Sequence, residues 1–278
     1  MIDDFDTHAT HAPVTLTLGL ILVLPVVAAA VAYVASAVIE IRSKKRGWPI
    51  YRVALWLLGL MVVALTLVGP LAERSHTDFF AHMATHLMVG MLAPLLLVCA
   101  APLTLALRTL SVDPARRLSR LLKSWPLRFL THPIPAAAIN IGSLWFVYAS
   151  PLSSMMFSNP LFHYFLLIHF FIAGYLFTAS LVSVDPTPHP VGFPLRTAVL
   201  LVAIAGHSIL AKYIYAHPPQ GTTAISAEPG GVLMYYGGDL LELALLVVFF
   251  TQWYRAAGRR LLSSAPGARL QASPRPAL

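Results

Sequence analysis

Charged residues are scarce in this chain of 278 residues. Asp, Glu, Lys and Arg together make up 11% of it, whereas soluble domains average about 25%. Hydrophobic residues make up 58%, and the mean hydropathy is +0.74. A soluble domain of this size could not bury so much apolar surface, so the sequence predicts an all-α integral membrane protein.

Cysteine and the common catalytic motifs are also nearly absent. Cys99 is the single cysteine, which excludes an intramolecular disulfide and a cysteine-based metal motif. The His82-Met-Ala-Thr-His86 pair lacks the glutamate that a zinc protease places between its histidines. The sequence has no G-x-S-x-G nucleophile motif and no glycine-rich phosphate loop. These absences argue against a zinc protease, a serine hydrolase of the G-x-S-x-G type and a protein with a glycine-rich phosphate loop.

Long apolar runs divide the chain into seven predicted membrane spans. Each run has about 20 residues and is bounded by charges or by Pro/Gly clusters. The third is long enough to run into an interfacial turn near Ala101 and Pro102, and the fourth is short. The spans together form a predicted transmembrane domain over 13–255, and they cover 13–39, 51–69, 79–107, 134–150, 160–183, 193–215 and 232–254.

The basic residues predict the orientation of this bundle. Basic residues outnumber acidic ones by 19 to 11, and 17 of the 19 fall on one side of the predicted spans. Positively charged loops stay in the cytoplasm, so we expect seven spans with the N-terminus outside and no role in nucleic-acid binding. The acidic segment 1–12, unlike a cleaved signal peptide, is expected outside. The tail 256–278, rich in Pro, Ala, Ser and Arg, is expected to be disordered in the cytoplasm.

Histidines and carboxylates gather in the predicted outer half of the bundle. His82 and His86 stand four residues apart, so their imidazoles lie on one face of a helix. Neutral imidazole binds copper, zinc, iron or nickel, and ionisable groups inside a bilayer are costly unless they serve a function. The predicted metal ligands are His82, His86, His163, His169 and His207; the residues predicted to orient a ligand or to balance charge are Asp78, Asp239 and Glu242.

Ordinary structural roles remain open for each of these residues. Paired histidines can hydrogen-bond to neighbouring helices, and a single buried histidine can serve packing alone. Asp239 and Glu242 can also form a structural salt bridge with Lys212 or Arg74. The cluster favours function more strongly than its members do, because the other half of the membrane lacks such a cluster.

The third span carries a family resemblance. Residues 81–88 (AHMATHLM), 91–97 (MLAPLLL) and 101–108 (APLTLALR) resemble the CtaG family of bacterial cytochrome c oxidase assembly factors, and weaker similarity covers 15–255. The resemblance implies a multi-pass protein of the bacterial plasma membrane without catalytic turnover. It also implies copper handling for a haem–copper oxidase. The implied partners are oxidase subunits and a copper donor protein; the oligomeric state stays open.

Three other functions are compatible with the sequence. Family members also occur near or fused to copper-import domains, so a copper transporter or importer is the first alternative. Two histidines on different helices can ligate a haem, so a haem-binding membrane protein is the second. A structural scaffold for oxidase assembly is the third, and it would tolerate the loss of the histidines.

Overall fold

The computed structural model describes residues 5–43, 47–182, 184–186, 191–220, 222 and 224–264. Within these ranges the chain is helical and forms one bundle. The helices are α1 Phe5–Arg42, α2 Ile50–Leu67, α3 Pro70–Ser75, α4 Phe79–Leu87, α5 Ala93–Cys99, α6 Pro102–Thr109, α7 Val112–Leu122, α8 Trp125–Leu130, α9 Pro133–Tyr148, α10 Leu152–Ser158, α11 Pro160–Leu181, α12 Phe193–Ala216 and α13 Ala224–Ser264. A π-helical segment, Met88–Leu92, joins α4 to α5.

Both predicted terminal segments contain helix. Helix α1 begins at Phe5, so residues 5–12 belong to a helix, and residues 1–4 lie outside the described residues. Helix α13 continues to Ser264, past the predicted boundary at 255. Its last turns are rich in Arg, Ala and Leu, which favour helix in water as well as in a bilayer. The rest of the predicted tail, 265–278, lies outside the described residues.

Among the described residues, six helical stretches are long and apolar enough to cross a membrane. They are Leu16–Arg42, Ile50–Leu67, Phe79–Cys99, Pro160–Leu181, Phe193–Ala216 and Ala227–Arg259. The predicted fourth span corresponds to α9, which has 16 residues and is about 24 Å long at 1.5 Å per residue. A typical hydrocarbon core is about 30 Å thick. The described part of the chain is therefore that of an all-helical membrane protein, and the seventh span stays a prediction.

Helix α9 nevertheless belongs to the bundle, because it packs against α11 and α12. Its C-terminal Tyr148 belongs to an apolar cluster with Phe79 and Met156, at the end of the bundle where α4 begins. Its N-terminal Ala136 belongs to a second cluster with Leu181 and Phe249, at the opposite end. Helix α9 thus runs alongside its neighbours between the two ends of the bundle.

The third predicted span is interrupted in the middle. Pro94 has no amide hydrogen, so the helix cannot form the usual bond to the Gly90 carbonyl. The chain instead widens into a π turn, in which the amide of Ala93 donates to the carbonyl of Met88. Helix α11 crosses here with Gly174 against the Gly90 carbonyl, where a Cβ atom would collide with the backbone. Such π turns are common at functional sites.

This span ends earlier than predicted, at Cys99 rather than at 107, because the chain turns where the sequence suggested. Ala101 adopts a left-handed conformation with φ of 55°, which stops the helix. The hydroxyl of Tyr33 donates to the carbonyl of Ala100 at 2.7 Å. The carboxylate of Asp185 accepts from the amides of Leu103 and Thr104 at 3.1 and 2.7 Å, which caps the new helix α6.

Candidate functional site

Helix α4 positions the two paired histidines. Asp78 is its N-cap residue and accepts a hydrogen bond from the amide of Ala81 at 2.9 Å. His82 and His86 follow on one face of the helix, 7% and 5% exposed. The carboxylate of Asp78, which the sequence predicted to support a ligand, therefore has a structural role at the start of α4.

The first cavity, which we call the outer cavity, lies beside His82. It has a volume of about 10 Å³ and is lined by three histidines, His82, His86 and His163, together with Thr85 and Met156. The ring centroids of His82 and His163 are 5.5 Å apart. The outer cavity therefore brings imidazoles from α4 and α11 together with a thioether from α10.

Tyr148 fixes the ring of His82. Its hydroxyl lies 2.9 Å from Nε2 of His82, and both groups are buried. Nδ1 of His82 has no hydrogen-bond partner within the described residues. If Nε2 carries the proton and donates it to the Tyr148 oxygen, the lone pair of Nδ1 is left free to bind a metal ion.

His76 connects the outer cavity to the end of the bundle. It lies in the turn before α4, and its ring centroid is 4.0 Å from that of His163. Ser75 Oγ lies 3.5 Å from Nε2 of His163. Burial lowers the pKa of His76 below its ordinary value, so its imidazole is neutral at pH 7 and able to bind a metal ion.

The second cavity, the inner cavity, lies on the other side of His86. It has a volume of about 40 Å³, and its lining includes His86, His207, Glu242, Asn140 and Met91. The ring centroids of His86 and His207 are 6.5 Å apart. Nδ1 of His207 lies 3.2 Å from Oε1 of Glu242, and both side chains are buried.

Two cavities and the turn before α4 bring histidines together in one continuous series, which we call the histidine row. Its five histidines are His76, His163, His82, His86 and His207. It starts at half-buried His76 and ends at the carboxylate of Glu242. Several of its ring nitrogens, including both of His86, lack a hydrogen-bond partner among the described residues. Buried polar atoms are normally paired, so unpaired nitrogens facing two cavities indicate a place for a ligand. The order along the row is His76, His163, His82, His86, His207 and Glu242.

Two of the predicted site residues lie apart from the row. His169 is half-buried beside the rings of Phe165 and Phe170 and does not line either cavity. Asp239 is half-buried, and its Oδ1 lies 3.5 Å from Oγ of Ser208. Their predicted roles toward a metal ion stay predictions.

The sequence left open a salt bridge of Asp239 or Glu242 with Lys212 or Arg74, and the structure gives Lys212 and Glu242 other partners. Lys212 is exposed, and its ammonium lies over the ring of Tyr235. Glu242 instead approaches His207. Within the described ranges, neither Lys212 nor Arg74 forms an ion pair with a carboxylate.

Some residues at the site carried only a weak signal in the sequence. Tyr148 and Asn140 are single polar residues on the short helix α9, and nothing in their spacing links them to His82 or Glu242. Met156 and Met91 were visible as soft thioethers, but methionine in membrane helices usually serves packing. In the part of the chain that the structure describes, no group of three or more His, Cys, Asp or Glu is arranged to hold one ion.

The family of the chain follows from a comparison with known proteins. The family model for the cytochrome c oxidase caa3 assembly factor matches residues 31–256, which include every residue of the histidine row. The chain belongs to this family. The match confirms the resemblance carried by the third span.

Three mycobacterial proteins are similar to this member of the caa3 assembly factor family. An uncharacterized protein of Mycobacterium leprae is 28% identical over 81% of the chain and 37% of its own length. Uncharacterized proteins of Mycobacterium bovis and Mycobacterium tuberculosis are each 30% identical over 77% of the chain and 36% of their own length. The chain thus spans just over a third of these relatives. No solved structure matches it.

Proposed function

We propose that the protein handles copper as cargo in the bacterial plasma membrane and helps to supply it to a copper centre of cytochrome c oxidase during assembly. The histidine row, which leads from the bundle end into two cavities, is the observation that carries this proposal. Membership of the caa3 assembly factor family supports the oxidase as the partner. We extend the proposal to a role without catalytic turnover, in which a copper donor protein loads the site.

The spacing of His82 and His163 suits a shared metal ion. With a metal–nitrogen bond of about 2.0 Å and roughly 1.1 Å from a ring nitrogen to the ring centroid, two imidazoles on one ion have centroids about 5–6.3 Å apart. The observed distance is 5.5 Å. The thioether of Met156 lines the same cavity and is a soft ligand that favours Cu(I).

A low number of ligands suits delivery better than storage. Two imidazoles and a thioether leave a copper ion open to an incoming ligand, so the ion can be passed on. His76 is half-buried at the end of the row, and its ring lies against that of His163 at an angle of 40°. It is placed to exchange copper between the outer cavity and a partner outside the bundle.

The volume of the two cavities distinguishes this proposal from the haem-binding alternative. The outer and inner cavities measure about 10 and 40 Å³. Sites for ligands of drug size and larger enclose about 300–1,000 Å³, whereas one water-sized sphere needs about 10–15 Å³. The cavities along the row therefore fit single ions or waters, which favours copper over haem.

Transport across the membrane is less well supported than delivery. The inner cavity ends at apolar residues such as Leu95, Phe177 and Leu245. One helical turn further lie Val98, Leu181 and Phe249, which are buried in the same apolar cluster. An ion that continued through the bundle would have to cross this cluster without polar ligands, at a high desolvation cost.

Metal loading tests the proposal. The purified protein would be loaded with Cu(I), Cu(II) or Zn(II) in mild detergent, and bound metal would be measured by elemental analysis. We expect copper to bind to the wild type and to be lost from the outer cavity in His82→Ala/His163→Ala. His217→Ala is the matched control, because His217 is exposed and lies outside the row. A wild-type protein that binds no copper would contradict the proposal.

A further inference from the structure

The inner cavity is a candidate metal site distinct from the outer one. His86 and His207 face it from α4 and α12, and Met91 and Asn140 also line it. Both ring nitrogens of His86, both ring nitrogens of His207 and Oε2 of Glu242 have no hydrogen-bond partner among the described residues. Five unsatisfied polar atoms around a buried cavity are costly unless a ligand engages them.

Glu242 orients His207 for ligation. Its Oε1 lies 3.2 Å from Nδ1 of His207, without the alignment of a hydrogen bond, and the nearby negative oxygen favours the tautomer that carries the proton on Nδ1. The lone pair of Nε2 is then free, and a carboxylate behind a ligand imidazole makes that imidazole a stronger ligand. Glu242 therefore acts as a positioning residue that need not touch the ion.

Gly238 makes this arrangement sterically possible. A Cβ atom at Gly238 would lie 2.9 Å from Nδ1 of His207 and even closer to Cε1. The ring of His207 thus rests directly on the backbone of α13, where a side chain would displace it. The backbone of α13 and the carboxylate of Glu242 together hold His207 toward the cavity.

Charge points to the oxidation state of the ion. A Cu(I) ion balances the single negative charge of Glu242, whereas Cu(II) would leave a net positive charge in an apolar region. The thioether of Met91 in the lining also favours Cu(I). The ring centroids of His86 and His207 are 6.5 Å apart, so a shift of a few tenths of an ångström gives the spacing of two imidazoles on one ion.

From these observations we infer that the inner cavity is a second Cu(I) site, ligated by His86 and His207 and oriented by Glu242. The inference rests on the proposed copper-handling function and adds a second binding site to it. His86 lines both cavities. It is therefore the residue through which an ion passes from the outer site to the inner one without entering the apolar core as a free ion.

The test counts Cu(I) ions per chain in the full-length protein in detergent under anaerobic, reducing conditions. We expect about two ions in the wild type, about one in His207→Gln, and about one in His82→Ala/His163→Ala. Glu242→Gln, which keeps the size of the side chain, should weaken one of the two sites by about 10–100-fold in a competition titration with a Cu(I) chelator. Circular dichroism verifies that each variant keeps its helices.

The outcomes separate this inference from the proposed function. A wild type that binds one ion, lost in His82→Ala/His163→Ala but retained in His207→Gln, would overturn the inner site and leave the proposed function standing. A wild type that binds no Cu(I) would overturn the proposed function itself. Gly238→Ala removes no ligand, and loss of one ion in that variant would support the inner site independently of the ligand variants.

Discussion

Helix α11 crosses the π segment backbone to backbone at Gly174, and one added methyl group tests this crossing. A Cβ atom at Gly174 would lie 2.9 Å from the carbonyl carbon of Gly90 and 3.3 Å from Cγ of Pro94. Carbon atoms in contact prefer about 3.5–4.0 Å, so Gly174→Ala forces the two backbones apart by at least about 0.6–1 Å, and the Gly90 carbonyl oxygen lies closer still. The neighbouring atom is backbone, which cannot rotate out of the way.

Two opposing effects determine the stability of this variant. Alanine inside a helix is favoured over glycine by about 0.5–1 kcal/mol, whereas overpacking costs about 1–3 kcal/mol. Gly142→Ala is the matched control, because a Cβ atom on this α9 residue meets nothing within 4 Å. We therefore expect the free energy of unfolding of Gly174→Ala to lie about 1–3 kcal/mol below that of Gly142→Ala.

Thermal unfolding in detergent, followed by circular dichroism, measures this difference. For a chain of this size, 1 kcal/mol shifts the midpoint by about 2–4 °C, so Gly174→Ala should unfold about 2–12 °C below Gly142→Ala. Equal midpoints would refute the close crossing of α11 and the π segment. They would also remove the steric reason for a glycine at this position.

Three further predictions concern other parts of the bundle. Tyr148→Phe removes the hydroxyl beside His82 and should weaken Cu(I) binding at the outer cavity about tenfold or more, measured by competition with a chelator. Asp185→Ala leaves two amides of α6 without their acceptor and should cost about 1–2 kcal/mol in thermal unfolding. In a cysteine-free background, single cysteines would be introduced on either side of α9 along the chain, by Ser158→Cys and by Ser111→Cys. An impermeant maleimide added to intact cells should label only the cysteine at position 158.

Each of these predictions has a result that contradicts it. Unchanged Cu(I) affinity in Tyr148→Phe would show that the hydroxyl does not orient its histidine. Asp113→Ala is the control for Asp185→Ala, because it removes an exposed carboxylate and should leave the unfolding midpoint unchanged. If the midpoint falls equally in both variants, Asp185 does not act as a specific cap of α6. Labelling of both cysteines from outside would show that α9 does not cross, which would leave six spans.

Much of the fold could be predicted from the sequence, because the bilayer imposes a length and a polarity on each crossing helix. The predicted spans 160–183 and 193–215 correspond to Pro160–Leu181 and Phe193–Ala216. The turn near Ala101 was also predictable, since a proline follows it directly. The π segment was not, because a proline inside an apolar run can bend, end or widen a helix, and the packing of α11 selects among these outcomes.

The sequence by itself determined the class of the protein and its family. It also determined the spacing of His82 and His86, because these two histidines lie on the same helix. Only the tertiary structure decided which residues from other helices join them. His169 lies six positions after His163, which is about 240° further around a helix, so only His163 faces the outer cavity. The approach of His207 to Glu242 depends on how α12 packs against α13, and no spacing along the chain encodes it.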